Sequence, residues 1–349
     1  MKLAVAGAYL DGFSGIPRHL SAALGATTRW DLVEYQPALV ERARARATPG
    51  QYLWEKSPAR CTFLSRQIDE RAQREPVDAI LVFGSESCAF CETRVPLYGF
   101  GDSIFGTRID LYADQEGALS KRSVREGIDV QQRALEKLRV LFMTSQWAID
   151  RAVEVFGYRV EPAKVDVTLV GANLPHIDAV PPIRTTPLRL AWVGVDWKRK
   201  QGDLAVAIVR TLRERGVDGR LDVAGPVSVE PAGEWMSVHG RLAATALTEV
   251  YANASALLLP TKADLTPIVI AEAAMMGRAT FASPIGGIPE MILQGENGVL
   301  IDSDDPNLWA DAMQHADLAR LGAAARRAYE ERLNWRGIAN RMRARMEER

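Results

Sequence analysis

The feature that most constrains this chain is a pattern met twice: short apolar runs, most ending in glycine, alternating with stretches of helical periodicity. The first series is "KLAVAG" (Lys2 to Gly7), "AILVFG" (Ala79 to Gly84), "VLFMTS" (Val140 to Ser145) and "VDVTLVG" (Val165 to Gly171). The second is "LRLAWVG" (Leu188 to Gly194), "RLDVAG" (Arg220 to Gly225), "ASALLLP" (Ala254 to Pro260), "ATFAS" (Ala279 to Ser283) and "GVLID" (Gly298 to Asp302). Runs that are apolar without alternation predict strands buried on both faces, as in a parallel sheet covered by helices. Leu119, Val124, Ile128, Leu135 and Leu138 predict a long amphipathic helix between the second and third runs, broken near Gly127.

The segment "PHIDAVPPIRTTP", Pro175 to Pro187, has four prolines and no apolar period, so it reads as a linker. At 349 residues the chain exceeds the ~250–300 at which single cores stop growing. The expected fold class is therefore α/β with two Rossmann-like domains, residues 1–178 and 179–330, followed by a helix over 331–349 that packs back on the first. Ligands of such sheets bind beyond the carboxyl ends of the strands, and two facing domains would offer a cleft.

Composition narrows the function. A net charge of −1 argues against a nucleic-acid partner, since phosphate-backbone affinity needs a basic surface. "MKLAVAGAYL" is too short an apolar stretch for a signal core or a membrane span, so no transmembrane segment and a cytoplasmic location are expected. The arginine-rich C-terminal "RMRARMEER" reads as a solvated helix or as a peripheral contact with the inner membrane face. Cys61, Cys88 and Cys91 are too few for a disulfide framework, and the C-x-x-C of the last two lacks the second pair or spaced histidines of a structural zinc site.

The stretch "DLTPIVIAEAAMMGR", Asp264 to Arg278, carries the most chemistry. Thr266 and Pro267 predict a helix start, with the threonine as cap, and Gly277 predicts its stop. A helix apolar all round is buried. Glu272 would then be a carboxylate needing a basic side chain or a ligand hydroxyl to meet it. A helix start favours anions, so a phosphate there would lie between Asp264 and Glu272, each able to accept hydrogen bonds from hydroxyls. From spacing alone, a loop Asp and a Glu satisfied by a nearby Arg reads as well.

"LLLPTKADLTPIVIAEAAMMGRATFASPIGGIPEMILQGENGVLID" resembles the donor-binding segment of the retaining family-4 glycosyltransferases, which have the GT-B fold. The resemblance rests on E-x7-E, a helix, a strand, a "GG(I/V)PE" turn and an "NG" turn before the last strand. Asp264 replaces the first glutamate of that pattern. The resemblance implies that Glu272 holds donor ribose hydroxyls, that Asp264 meets the sugar, and that the start formed by Thr266, Pro267, Ile268 and Val269 receives sugar and pyrophosphate. In "VGVDWKRKQGD", Lys200 matches a family lysine on the donor phosphates. Val195 stands where the family has arginine, so Arg199 is the other cation.

The same resemblance points to Ser14 and Gly15 in the loop after the first strand and to a loop around Val238, His239 and Gly240 near the base. It also points to Asp102 in "DSIF", beside the reacting sugar; capping a helix is the other reading of that residue. "DSDD" (Asp302 to Asp305) contains a D-x-D but reads better as a turn, with Asp305 capping a helix that begins at Pro306. The activity implied by the resemblance is a retaining transfer from a nucleotide-diphosphate sugar, UDP- or GDP-linked, without a metal or other cofactor. The acceptor would be a glycan, a lipid-linked glycan or a small molecule. An epimerase on the same fold and a sugar-nucleotide-binding protein without catalysis are the rival readings.

Overall fold

The computed structural model describes residues 1–11, 15–46, 49–112 and 119–348. The chain divides into two compact units, Met1–Thr168 with Ala339–Arg349, and Leu169–Ile338. The first holds strands β1 (Leu3–Gly7), β2 (Thr28–Asp31), β3 (Ala79–Phe83), β4 (Leu97–Gly101), β5 (Val140–Met143) and β6 (Val165–Val167) in the order β2-β1-β3-β4-β5-β6. The second holds β7 (Leu188–Val193), β8 (Gly219–Ala224), β9 (Met236–Gly240), β10 (Ala256–Leu259), β11 (Ala279–Ala282) and β12 (Gly298–Leu300) in the order β12-β11-β10-β7-β8-β9. All the pairings between these strands are parallel. Most of the apolar runs are central strands buried on both faces; β6 and β12 lie at sheet edges and are less buried, and the central β4 falls outside the runs.

Each sheet has its own core. Trp30, Leu64, Ile68 and Ile80 anchor the first, and Trp192, Ile208, Phe281 and Trp309 the second. The closing helix, Trp335–Glu347, buries Ile338, Met342 and Met346. Its arginines bond backbone of the first unit: Arg343 donates to the Leu24 carbonyl and Arg345 to that of Ala163.

Three expectations are corrected. The helix Lys121–Lys137 runs through Gly127 unbroken. Glycine is needed there because the Phe105 ring lies against it, and a Cβ would come within 2.2 Å of Cε1. The "MSVHG" segment is an edge strand rather than a loop. The helix after Asp264 spans Ile268–Met275, with Pro267 itself in the N-cap position and no side-chain cap. Thr266 is buried one residue earlier. Two expected caps do form: Ser145 accepts from Ala148 N–H, and Asp305 from Asn307 N–H.

Candidate functional site

In the second unit the chain runs from β7 outward through β8 and β9, then returns to place β10 on the other side of β7. Strand order therefore reverses between β7 and β10, where sheets of this kind bind ligands beyond their carboxyl ends. The loops leaving those two strands carry Arg199, Lys200 and Asp264. Lys200 Nζ donates to Asp264 Oδ2 at 2.6 Å, and Arg199 Nη1 lies 3.5 Å from the same oxygen and donates to the Ala263 carbonyl at 2.5 Å. All three side chains are largely shielded from solvent.

Backbone geometry fixes this meeting. Lys262 N–H donates to the Arg199 carbonyl at 2.9 Å, which ties the two loops together. The buried Trp192 donates its indole N–H to the Lys200 carbonyl at 3.1 Å. Gln201, directly after Lys200, has φ 48°, a left-handed conformation that costs a non-glycine residue about 1 kcal/mol or more. It reverses the chain into the helix Gly202–Glu214. Asp196 accepts from the Arg199 amide and lies 3.5 Å from its Nε, so both loops are braced through that one arginine.

The uncapped start of Ile268–Met275 adjoins the Asp264 loop in sequence, and Ile268 and Val269 are only half-buried. The first amides of a helix have no intrahelical acceptor and carry partial positive charge. Gly286 closes the other side: its φ is 58°, and a Cβ there would stand 2.1 Å from the Asp264 carbonyl oxygen. Gly287 N–H donates to the Leu265 carbonyl at 2.6 Å. The "GG" of the "GGIPE" turn thus braces the Asp264 loop, a contact that no local pattern reveals.

Glu272 stands apart from this cluster in its bonding. It is 5% exposed, and Oε2 accepts from the Tyr251 hydroxyl at 3.0 Å. Burial pushes its pKa up to about 7, against the hydrogen bonds from Tyr251 and from the Asn173 backbone amide, which lower it. The partner foreseen as a basic side chain or ligand hydroxyl is here a tyrosine and a backbone amide.

The remaining predicted residues are dispersed. On β9, His239 Nε2 lies 2.8 Å from Asp222 Oδ1, while Arg189 donates to Oδ2 of the same buried carboxylate at 2.9 Å. Val238 is half-buried, and the Gly240 carbonyl accepts from Gly225 N–H. In the first unit, Gly15 occupies the N-cap of Ile16–Leu24 with φ 64°. Ser14 lies outside the described residues. Asp102 follows β4 and accepts from the Ser103 hydroxyl at 3.1 Å. The next helix, Thr107–Leu111, has Gly106 as its N-cap, so capping is not the role of Asp102.

Cys61, Cys88 and Cys91 are buried free thiols. Burial pushes Cys61 and Cys91 up to about 12, far from the thiolate form. Among the described residues no group of three His, Cys, Asp or Glu side chains is arranged to hold a metal ion. No described helix is long and apolar enough to cross a membrane.

Residues 177–316 match the family model described as glycosyl transferases group 1. The D-inositol 3-phosphate glycosyltransferase of Corynebacterium diphtheriae is 37% identical over 68 residues, 20% of this chain and 16% of that one. The protein of the same name from Nocardioides sp. is 27% identical over 172 residues, 47% of this chain and 34% of that one. The chain thus spans well under two thirds of these relatives.

Among solved structures, sucrose-phosphate synthase from Thermosynechococcus elongatus superposes with a TM-score of 0.72 at 16% identity, covering 99% of this chain and 98% of that one. Anabaena HepE, solved with UDP and glucose, gives 0.68 at 12% identity, with both chains fully covered. At such identities the likeness shows the fold, which is GT-B. Over residues 177–316, then, the chain is similar to the glycosyl transferases group 1 family.

Proposed function

We propose that the protein is a retaining glycosyltransferase that moves a sugar from a nucleoside-diphosphate donor to an acceptor hydroxyl without a metal ion. The observation that carries this reading is the convergence of Lys200, Arg199 and Asp264 at the β7/β10 switch point, next to an uncapped helix start. Anabaena HepE, solved with UDP-glucose, supports a UDP-linked donor.

In the reaction the bond between the anomeric carbon and the phosphate oxygen breaks, and the acceptor oxygen bonds to that carbon on the same face. The departing phosphate takes the acceptor's proton. The ammonium of Lys200, the guanidinium of Arg199 and the helix amides stabilise the negative charge that develops on the leaving group. An ammonium has three donors, so Lys200 can hold Asp264 and a phosphate oxygen together. Asp264 is then the acceptor for a donor-sugar hydroxyl, and Glu272 is assigned to the ribose side.

A thermal-shift screen against nucleoside diphosphates and their sugars tests donor binding. A ligand at one hundred times its Kd stabilises by about 2.7 kcal/mol, readily seen as a higher Tm. No stabilisation by any of them would sink the reading. Turnover then separates the rivals: nucleotide release with a glycosylated product is transfer, an inverted donor centre is epimerisation, and tight binding with neither is a binding protein.

A further inference from the structure

The first unit carries its own strand-order reversal. The chain places β2 on one side of β1 and β3 on the other, so the crevice beyond the β1 and β3 ends is where a ligand is expected. A cavity of about 230 Å³ lies there, reached by segments that follow β1, β3 and β4. Its lining includes Lys56, Ser85, Glu86 and Gln131 beside the rings of Phe83 and Phe100. Asp102 and Arg108, both exposed, add one charge of each sign.

The chemistry of the wall is unusual for a region with no ligand to meet. Glu86 is 7% exposed, with Lys56 Nζ 2.8 Å and Arg60 Nη1 3.8 Å from its Oε1. Burial pushes its pKa up, but the two cations outweigh burial and hold the carboxyl below its ordinary value. Arg60 also pairs with Glu34, so the network contains two acids and two bases and is neutral as a whole. A buried ion pair is seldom more stabilising than well-packed apolar side chains, so stability alone does not account for one on a cavity wall.

The chain turns beside the carboxylate through a left-handed glycine. Gly84 has φ 80°, and a Cβ there would stand 3.4 Å from Glu86 Oε1. The Ser85 hydroxyl accepts from Gln131 Nε2 at 2.8 Å. The wall thus sets a fixed acceptor beside a fixed donor.

We propose that this cavity binds a single neutral polyol ring, and that the Lys56–Glu86 pair selects it. A hydroxyl both donates and accepts, so adjacent hydroxyls match a carboxylate beside an ammonium. A phosphate would bring negative charge against Glu86, in a network whose cations are already matched. Phenylalanine rings suit the C–H face of a ring. A volume below the ~300–1,000 Å³ of sites for drug-sized ligands suits one ring rather than a chain. The identification of this ring as the acceptor rests on the glycosyltransferase reading; its binding does not.

The test is ligand-detected NMR on the full chain with methyl α-glucoside, methyl α-mannoside, myo-inositol and glucose 6-phosphate, with no donor added. At least one neutral ring should bind, and glucose 6-phosphate should bind about tenfold more weakly or worse. Lys56→Gln and Glu86→Gln should each weaken that binding about tenfold or more, the loss of a charge-assisted hydrogen bond. Affinity for a nucleoside diphosphate should stay within about twofold. Lys56 is partly exposed, so Lys56→Gln carries the test should Glu86→Gln fail to fold. No neutral ring bound, a tighter phosphate ester, or an unchanged affinity in Lys56→Gln would overturn the proposal. A neutral ring that binds through Lys56 but is never glycosylated would leave the cavity assignment standing and refute only the transfer reading.

Discussion

Lys200 Nζ and Asp264 Oδ2 lie 2.6 Å apart although 64 residues of chain separate them. They meet because β7 and β10 are hydrogen-bonded neighbours, with Leu190 opposite Ala256, and each residue sits in the loop leaving its strand. Removing one partner of a shielded pair leaves the other charge uncompensated, which costs more than the pair contributes. Lys200→Met should therefore lower Tm and reduce kcat by about a hundredfold or more, the scale of losing one transition-state stabiliser. Asp264→Glu, which keeps the charge, should fold normally and shift preference among donor sugars. An unchanged donor profile would remove Asp264 from sugar recognition.

Gly286→Ala tests the bracing turn without touching a charged group. The new Cβ would meet the Asp264 carbonyl at 2.1 Å in a left-handed conformation, so the loop must shift. Donor affinity measured by calorimetry should fall about tenfold or more, while the far-UV spectrum stays unchanged.

Stability should depend on pH through Glu272. Its folded pKa of about 7 lies above the ordinary 4.5, so the folded state holds the proton more tightly. The stabilisation is fully present below about pH 4.5 and is lost as pH rises through 7; the interval corresponds to roughly 3 kcal/mol. Glu272→Gln removes this titration. The variant's Tm should gain on wild type from pH 5 to pH 8, and parallel Tm curves would refute the assignment.

Arg278 is a buried arginine whose contacts in the fold are carbonyls. It donates to Pro181 O from both Nη atoms at 3.0 Å, to Ala252 O at 2.6 Å and to Tyr251 O at 3.2 Å. Burial lowers its pKa to about 10. Arg278→Met would leave buried carbonyls without their donor, at about 1–3 kcal/mol for each such group. Chemical denaturation should show a loss of about 3 kcal/mol or more, only partly restored by Arg278→Lys, which lacks the planar fork. A loss under about 1 kcal/mol would mean that water takes over these carbonyls.

Most of the central strands were legible because both of their faces are buried, which leaves unbroken apolar runs. Of the edge strands, β6 and β12 were legible too, whereas β2 and β9 were not, nor was the central β4, whose "LYGFG" is interrupted by glycine. β2 is "TRWD", in which Trp30 alone is buried, and β9 is "MSVHG", with Ser237 and His239 exposed. An edge strand facing solvent keeps its polar residues, so nothing in the apolar pattern opposed the loop that the family resemblance implied for Val238 to Gly240. Gly127 looked like a helix break because glycine weakens helices in general; only the position of Phe105 explains it.

The same division runs through the candidate site. Arg199, Lys200, Asp264 and the helix start were each readable, from local charge and capping patterns and from family resemblance. That Lys200 bonds Asp264, and that Glu272 turns to Tyr251 instead of an arginine, was not. The cavity wall of the first unit left still less trace, since Lys56 and Glu86 lie in stretches with no period of their own.

The sequence by itself determined the parallel α/β class, the two series of strands and the stops and starts around Pro267 and Gly277, because local sterics and burial periodicity are properties of near neighbours. Only the tertiary structure decided which charges meet. Strand order brings the β7 and β10 loops together, and the cost of burying a carboxylate is set by whatever partner that order places beside it.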